Sequence, residues 1–291
     1  MTAPREVMRA LRNALARAEV DRGRAERTAE IAERHEQQLL TAVPRLREYH
    51  RRMAAMHRQV QRQHAAAAAM HAAHAERLRV LADNPDRHHA LPRFMASVAE
   101  AAHAGGAAVT LFGPNLVETL SVGSDGTARA AQDLEFTLGE GPARDTMTHR
   151  RPIHATGVSL ARHWPTYGPA IERLGIRAVA AVPVQLTGVP LGAMTFFDPP
   201  QRDDFDGLRL VADTVAAMLV PDDDSAGTDV GAILAEADHR AIVHQATGIV
   251  SVQHDCAIPD ALALIRARAF ADDRTIAAVA TDIVERTLRL T

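Results

Sequence analysis

Apolar and small residues recur at steps of three and four through the first 82 residues. One series runs Leu46, Met53, Val60, Ala67, His74, Leu81, and the series between them runs His50, His57, His64, His71, Leu78. Alternating steps of four and three make the seam of a coiled coil or of a packed helix pair. Upstream, Met8, Leu11, Leu15, Ala18, Ala25, Ala29, Ala32 and Leu39 keep the same spacing, with Arg22 and Glu36 interrupting it. Pro44 has no backbone donor, so a helix starts or bends there, with Thr41 as the expected N-cap. Two arrangements satisfy the pattern. Helix 44–82 can pair in parallel with its own copy, each seam histidine meeting itself. It can also fold back antiparallel on residues 5–41.

The texture changes after the polar break at 83–90. LPRFMASVAEAAHA predicts a helix with Pro92 in its first turn. Residues 107–112 and 116–123 predict a strand pair linked by Gly113, Pro114 and Asn115, and Ser124-Asp125-Gly126 reads as a turn. Leu138-Gly139-Glu140-Gly141-Pro142 precedes a helix, and 151–155 reads as a short strand. Residues 176–186 and 189–198 alternate small apolar side chains around Thr187-Gly188, a hairpin signal. Asp203 or Asp204 caps the helix that follows. This order predicts an antiparallel sheet with helices packed on it, an α+β domain. Beyond an acidic linker at 221–229 all apolar spacing is helical. One helix is expected over about 230–253, a second from near Pro259, and a third from Thr275 as N-cap. The fold class is therefore multidomain α and α+β: a helical or coiled-coil segment at 1–82, an α+β domain at 86–220, a linker at 221–229 and a three-helix bundle at 230–291.

Composition narrows the function classes. All 33 basic residues are arginine, and the net charge of −3 provides no bulk attraction to nucleic acid, so any such site is local. The single cysteine, Cys256, cannot form an internal disulfide, which fits a reducing cytosol. No apolar run reaches the ~20 residues that span a bilayer, and the first residues are too charged for a secretory leader. A cytoplasmic protein without membrane contact is expected. No nucleophile–base–orienter set is visible, so no catalytic residue and no enzymatic activity are assigned. Heptad spacing of the histidines supplies no convergent ligand set, so no metal site is read and the cofactor is left unknown.

The middle of the chain resembles a GAF domain. The matching pieces are Leu138-Gly139-Glu140-Gly141-Pro142, Trp164-Pro165 with Tyr167, Gly175 through Val184, and Gly188-Val189-Pro190-Leu191-Gly192-Ala193-Met194. The resemblance implies a small-molecule pocket on one sheet face. With no cysteine in this region, any ligand is noncovalent. With no lysine, the Asn-Lys-Phe-Asp-Glu pattern of cyclic-nucleotide-binding relatives is missing. Phe136, Trp164, Tyr167 and Met194 are the candidates for pocket lining, or they are ordinary core.

The end of the chain resembles an ANTAR domain. The match runs from Arg240 through Ala246, Gly248 and Val250, then Ala261 and Leu264 through Phe270, then Thr275 through Ala280 with Ile283-Val284 after. The resemblance implies a three-helix module that binds paired hairpins of a leader RNA and prevents a terminator from forming. It implies Arg240, Ala246, Gly248, Arg266, Arg268, Ala269 and Phe270 as RNA-binding positions. This chain departs from the pattern at Thr247, where a basic residue is common, at Ser251, where methionine is common, and at Asp255, where glycine is usual. From residue 229 on, six arginines face nine carboxylates, a balance of −3 that is poor for phosphates. Stacking and base-edge contacts through Arg266, Arg268 and Phe270 offer another route. The expected protein is a signal-responsive RNA-binding antiterminator acting as a homodimer. The competing reading is a protein-binding scaffold whose bundle does not bind RNA.

Overall fold

A computed structural model of the chain describes residues 4–83, 93–186, 188–200, 205–219, 238–239, 241–272 and 274–290. They fall into two compact units: Met1–His103 with Asp204–Ile233, and Ala104–Asp203 with Leu234–Thr291.

The first unit is helical. Helix α1 spans Pro4–Thr41 and α2 spans Pro44–Asp83. Leu11 and Ala14 cluster with Ala75 and Leu78, Asp21 reaches His64 and His71, and Glu36 pairs with Arg58. Numbers rise along α1 as they fall along α2, so the pair is an antiparallel hairpin. The seam histidines therefore face α1 of their own chain rather than a second copy. Thr41 ends α1 and its hydroxyl points back to the Gln38 carbonyl, so it does not cap α2. The expected stripe on α1 is also off by one position in places. Val7 and Ala14 are buried whereas Met8 and Leu15 are exposed, and Asp21 rather than Arg22 lies in the seam. Small side chains suit a closely approached helix, and the larger neighbours are left outside. Helices α3 (Phe94–Ala101) and α8 (Phe205–Met218) belong to the same unit. Phe94 of α3 lies against His71 and His74, at ring distances of 5.1 and 5.5 Å. The expected caps of α8, Asp203 and Asp204, lie outside the described residues.

The second unit holds an antiparallel sheet in the order β3-β4-β5-β1-β2-β6. The strands are β1 (Gly106–Phe112), β2 (Glu118–Gly123), β3 (Ile153–Thr156), β4 (Ala178–Leu186), β5 (Val189–Phe197) and β6 (Asp238–His239). Its helices are α4 (Gly126–Leu138), α5 (Pro142–His149), α6 (Val158–His163) and α7 (Tyr167–Arg173). One sheet face carries Ala108, Ile153, Ala155, Val179 and Phe197, which form one core with Ala128 and Ala131 of α4, Leu160 of α6, and Trp164, Tyr167 and Ile171. The pattern reading missed α4. The presumed turn at 124–126 is its cap: the Asp125 carboxylate accepts from the backbone N–H groups of Thr127 and Ala128 at 2.8 and 2.9 Å.

The three-helix bundle consists of α9 (Ala241–His254), α10 (Ile258–Ala271) and α11 (Ile276–Val284). Thr275 caps α11 as expected, accepting from the Ala278 N–H at 3.2 Å. Of the region expected to begin α9, residues 230–237 lie outside the described residues. Asp238 and His239 pair instead with Ser121 and Leu120 of β2. Asp255 has a φ of 47°, so the α9–α10 turn needs the left-handed conformation that the usual glycine would supply. Among the described residues no helix is long and apolar enough to cross a membrane.

Candidate functional site

The Leu138–Pro142 turn is tied to the rest of its domain by each of its polar and glycine positions. Gly139 ends α4 at a φ of 72°, a conformation that favours glycine. A Cβ on Gly141 would fall 2.6 Å from the Glu135 side chain, so this close approach admits only glycine. The Glu140 carboxylate accepts from the backbone N–H groups of Thr166 and Tyr167, at 2.6 and 2.7 Å, and so anchors the start of α7. The Trp164 indole N–H donates to Asp145 of α5 at 3.0 Å. The two sequence motifs around Glu140 and Trp164 are therefore halves of one interlocked corner.

Above that corner lies a polar interior. On the sheet face under α4, the hydroxyls of Thr110 and Ser121 are both directed at the Gln132 carbonyl oxygen. Glu135, one turn on, is buried, and its Oε1 accepts from the Arg144 backbone N–H at 2.8 Å. Burial pushes its carboxyl up to about 8, so it carries a proton at neutral pH. Burial also raises the Tyr167 phenol, and the nearby Glu135 carboxyl adds to that. Glu135 Oε2, Gln132 Nε2, Tyr167 OH, Thr146 Oγ1 and Thr195 Oγ1 are buried without a hydrogen-bond partner among the described residues. Such orphaned groups are uncommon in native interiors and mark places where a ligand or water completes the set.

The four pocket candidates do not converge. Trp164 and Tyr167 lie together in the core of this face, at 5.9 Å between rings. Met194 projects from the opposite face, because its neighbours Ala193 and Thr195 occupy this one and strand residues alternate. Phe136 leaves the sheet altogether and is buried in the core of the three-helix bundle with Val243, Ala246, Ile265 and Ile276.

In the bundle the candidates divide by burial. Ala246 and Ala269 are fully buried and pack the bundle core, so their side chains offer no surface to a partner. Gly248 is half-buried on α9, and Arg240 lies outside the described residues. On α10, Phe270 is 70% exposed and Leu264 is 42% exposed. Arg268 is exposed and paired with Asp272 at 2.6 Å. Arg266 turns the other way, with its guanidinium 5.2 Å above the Phe136 ring. Among the described residues no group of three or more His, Cys, Asp or Glu side chains is placed to hold a metal ion.

The model of the GAF domain matches residues 86–219, and that of the ANTAR domain matches residues 233–284. The chain is a GAF–ANTAR protein. Its order of domains is that of a signal-responsive regulator. The GAF match includes α3 and α8, which group with α1 and α2, as well as the whole sheet. No curated protein matches the chain. Among solved structures, similarity is found to a domain described as that of a two-component sensor histidine kinase protein from Sinorhizobium meliloti 1021. It is 18% identical, with 49% of this chain and 88% of that one covered and a TM-score of 0.32. A second is the NreA protein of Staphylococcus aureus, mutated in its nitrate binding site: 19% identical, 38% and 87% covered, TM-score 0.28.

Within the GAF domain, the residues the pattern reading missed are polar ones: Gln132, Glu135, Thr146 and Thr195. They sit inside elements whose apolar spacing defines them, and apolar spacing says nothing of which polar side chains turn inward. The one available signal was Gly141, whose neighbour in space is Glu135.

Proposed function

We propose that this GAF–ANTAR protein is a cytoplasmic, non-enzymatic, RNA-binding transcription antiterminator that responds to a small molecule. Segment 1–82 carries dimerisation through apolar side chains left outside the intrachain seam, such as Leu15 and Met56; domain 86–220 senses, 221–229 links, and 230–291 binds paired hairpins of a leader RNA. The observation that carries this reading is the ANTAR match over the three-helix bundle, whose helix α10 presents Leu264, Arg268 and Phe270 to solvent. An exposed aromatic beside an arginine suits stacking on splayed-out loop bases. On the sensing side, the orphaned polar atoms of Gln132 and Glu135 on α4, with Tyr167 beside Glu135, favour a small, polar, noncovalent ligand.

A gel shift of the full chain with tandem-hairpin leader RNA tests the reading. Binding that Phe270→Ala or Arg268→Ala weakens by about tenfold is expected, since base stacking contributes ~1–3 kcal/mol. Affinity no higher than for unstructured RNA favours the scaffold reading. That second reading draws on the balance of six arginines against nine carboxylates from residue 229 on, and on an exposed Phe270 that fits a protein partner as well.

A further inference from the structure

Helix α4 has two buried faces. Glu135 turns toward the GAF sheet, whereas Phe136, ~100° further round the helix and within about 40° of Gln132, enters the ANTAR core and is 1% exposed. Arg266 of α10 closes over it. Its Cζ stands 5.2 Å from the Phe136 ring centroid, a cation–π distance, and its Nη1 lies 3.2 Å from where a Cβ on Gly139 would be. Its Nε and Nη2 are buried. Two further contacts hold the same surfaces together: His244 of α9 is hydrogen-bonded to the Glu118 carbonyl at 2.9 Å, and β6 extends the sheet beside β2.

We propose that α4 latches the ANTAR domain to the GAF domain, Phe136 acting as the plug and Arg266 as the clasp, so that the sensor keeps an RNA-contacting arginine covered. This rests on the RNA-binding reading of the ANTAR domain. A guanidinium folded over a ring and packed against a helix C-terminus is unavailable to stack on a base. RNA that uses Arg266 must first lift α10 from α4, and by reciprocity the free energy of that opening is subtracted from its affinity. The device also fixes how a signal reaches the RNA surface. A ligand that completes the orphaned groups around Glu135 acts on the same turn of α4 that carries Phe136 and ends at Gly139. A shift or rotation of that turn withdraws the plug. Gly139 is required twice here, for its left-handed backbone and for the space that Arg266 occupies.

The test compares the full chain with Phe136→Ala, Phe136→Leu, Arg266→Ala and the Phe136→Ala/Arg266→Ala pair, by gel shift with tandem-hairpin RNA and by hydrogen–deuterium exchange. Unlatching by Phe136→Ala is expected to tighten RNA binding about fivefold or more, the lower end of typical coupling between sites. Amide exchange is expected to rise through α9–α11 and not through β1–β5. The double variant loses the gain, because the exposed arginine is gone. Phe136→Leu keeps an apolar plug without the ring, gives a smaller change in the same direction, and carries both readouts should the alanine variant not fold. Unchanged exchange in α9–α11 overturns the latch. So does raised exchange with RNA affinity unchanged or weakened. RNA binding absent from every variant overturns the RNA-binding reading instead. The exchange pattern alone then decides the latch, a rise confined to α9–α11 supporting it and an unchanged pattern overturning it.

Discussion

Glu135 is an acid that the fold holds neutral. Its neighbours contribute in both directions: burial and the Glu118 carboxylate raise its pKa, and the Arg144 and Ala143 backbone N–H groups lower it. Burial wins, with a value of about 8 against an ordinary 4.5. The folded chain therefore keeps a proton that the unfolded chain releases from about pH 4.5 upward. Stability from this group is complete in acid and declines as the pH rises toward 8. Glu135→Gln keeps the shape and the acceptor for Arg144 but cannot ionise. Thermal melts at pH 5 should be nearly equal for the two proteins. At pH 8.5 the variant should melt several degrees higher, as expected when ~1–2 kcal/mol or more is restored to a domain of this size. A uniform shift at both pH values would mean that Glu135 is not held neutral. The same residue-scale view explains why sequence leaves Phe136 open between pocket lining and core. An aromatic beside a glycine turn reads equally well as pocket lining, and only the path of α4 shows that it points into another domain.

At the scale of elements, spacing made the helices and the central hairpin legible, and spacing is also where legibility stopped. The β4–β5 pair follows from alternating small apolar residues, and the Thr275 cap from a hydroxyl ahead of a helical stripe. Helix α4 was missed because its inward stripe, Ala128, Ala131, Gln132 and Glu135, is half polar. The α1–α2 pairing is not legible from spacing, because a heptad seam looks the same in a dimer and in a hairpin. The hairpin has a consequence for pH. Burial, then His71 and Arg77, lowers the His74 imidazole to about 4, and desolvation with His50, His57 and Arg34 lowers His35 as well. Around His74 stand Phe94 of α3, His71 beside Asp21 of α1, and Arg77 paired with Glu100 of α3. Both bases have depressed values, so the unfolded chain binds more protons below its ordinary 6.5. Hairpin stability should be full above that pH and fall as the pH drops toward 4. Melting followed by helical ellipticity should shift down between pH 7.5 and pH 5, and His74→Gln should flatten the shift. Because the seam closes within one chain, the shift should not depend on protein concentration. A shift that grows on dilution would place the histidines between copies instead.

Charge is unevenly divided over the whole molecule. Helices α1 and α2 carry sixteen arginines against ten carboxylates, +6, and the remainder carries seventeen against twenty-six, −9, which together give the net −3. The part assigned to RNA is thus the less basic one. Of its six arginines, Arg268 and Arg274 are paired with Asp272 and Asp282, and Arg266 is folded over Phe136. Arg240, Arg286 and Arg289 are the rest. Each phosphate contact on single-stranded or looped RNA adds roughly −0.7 to the slope of log affinity against log salt. Three phosphate contacts predict a slope of about −2, and one from each of the six arginines about −4. Titration of the full chain with hairpin RNA between 50 and 300 mM salt (roughly the range over which counterion release is read) should give a slope in that shallow range. Affinity should then rest on Phe270 and base contacts rather than on charge. A slope clearly steeper than about −5 exceeds what the bundle can supply. It would assign phosphate contacts to the arginine-rich hairpin, where Arg45 and Arg62 are exposed. In that case Arg45→Ser with Arg62→Ser should reduce the slope by one to two units while leaving the effect of Phe270→Ala unchanged.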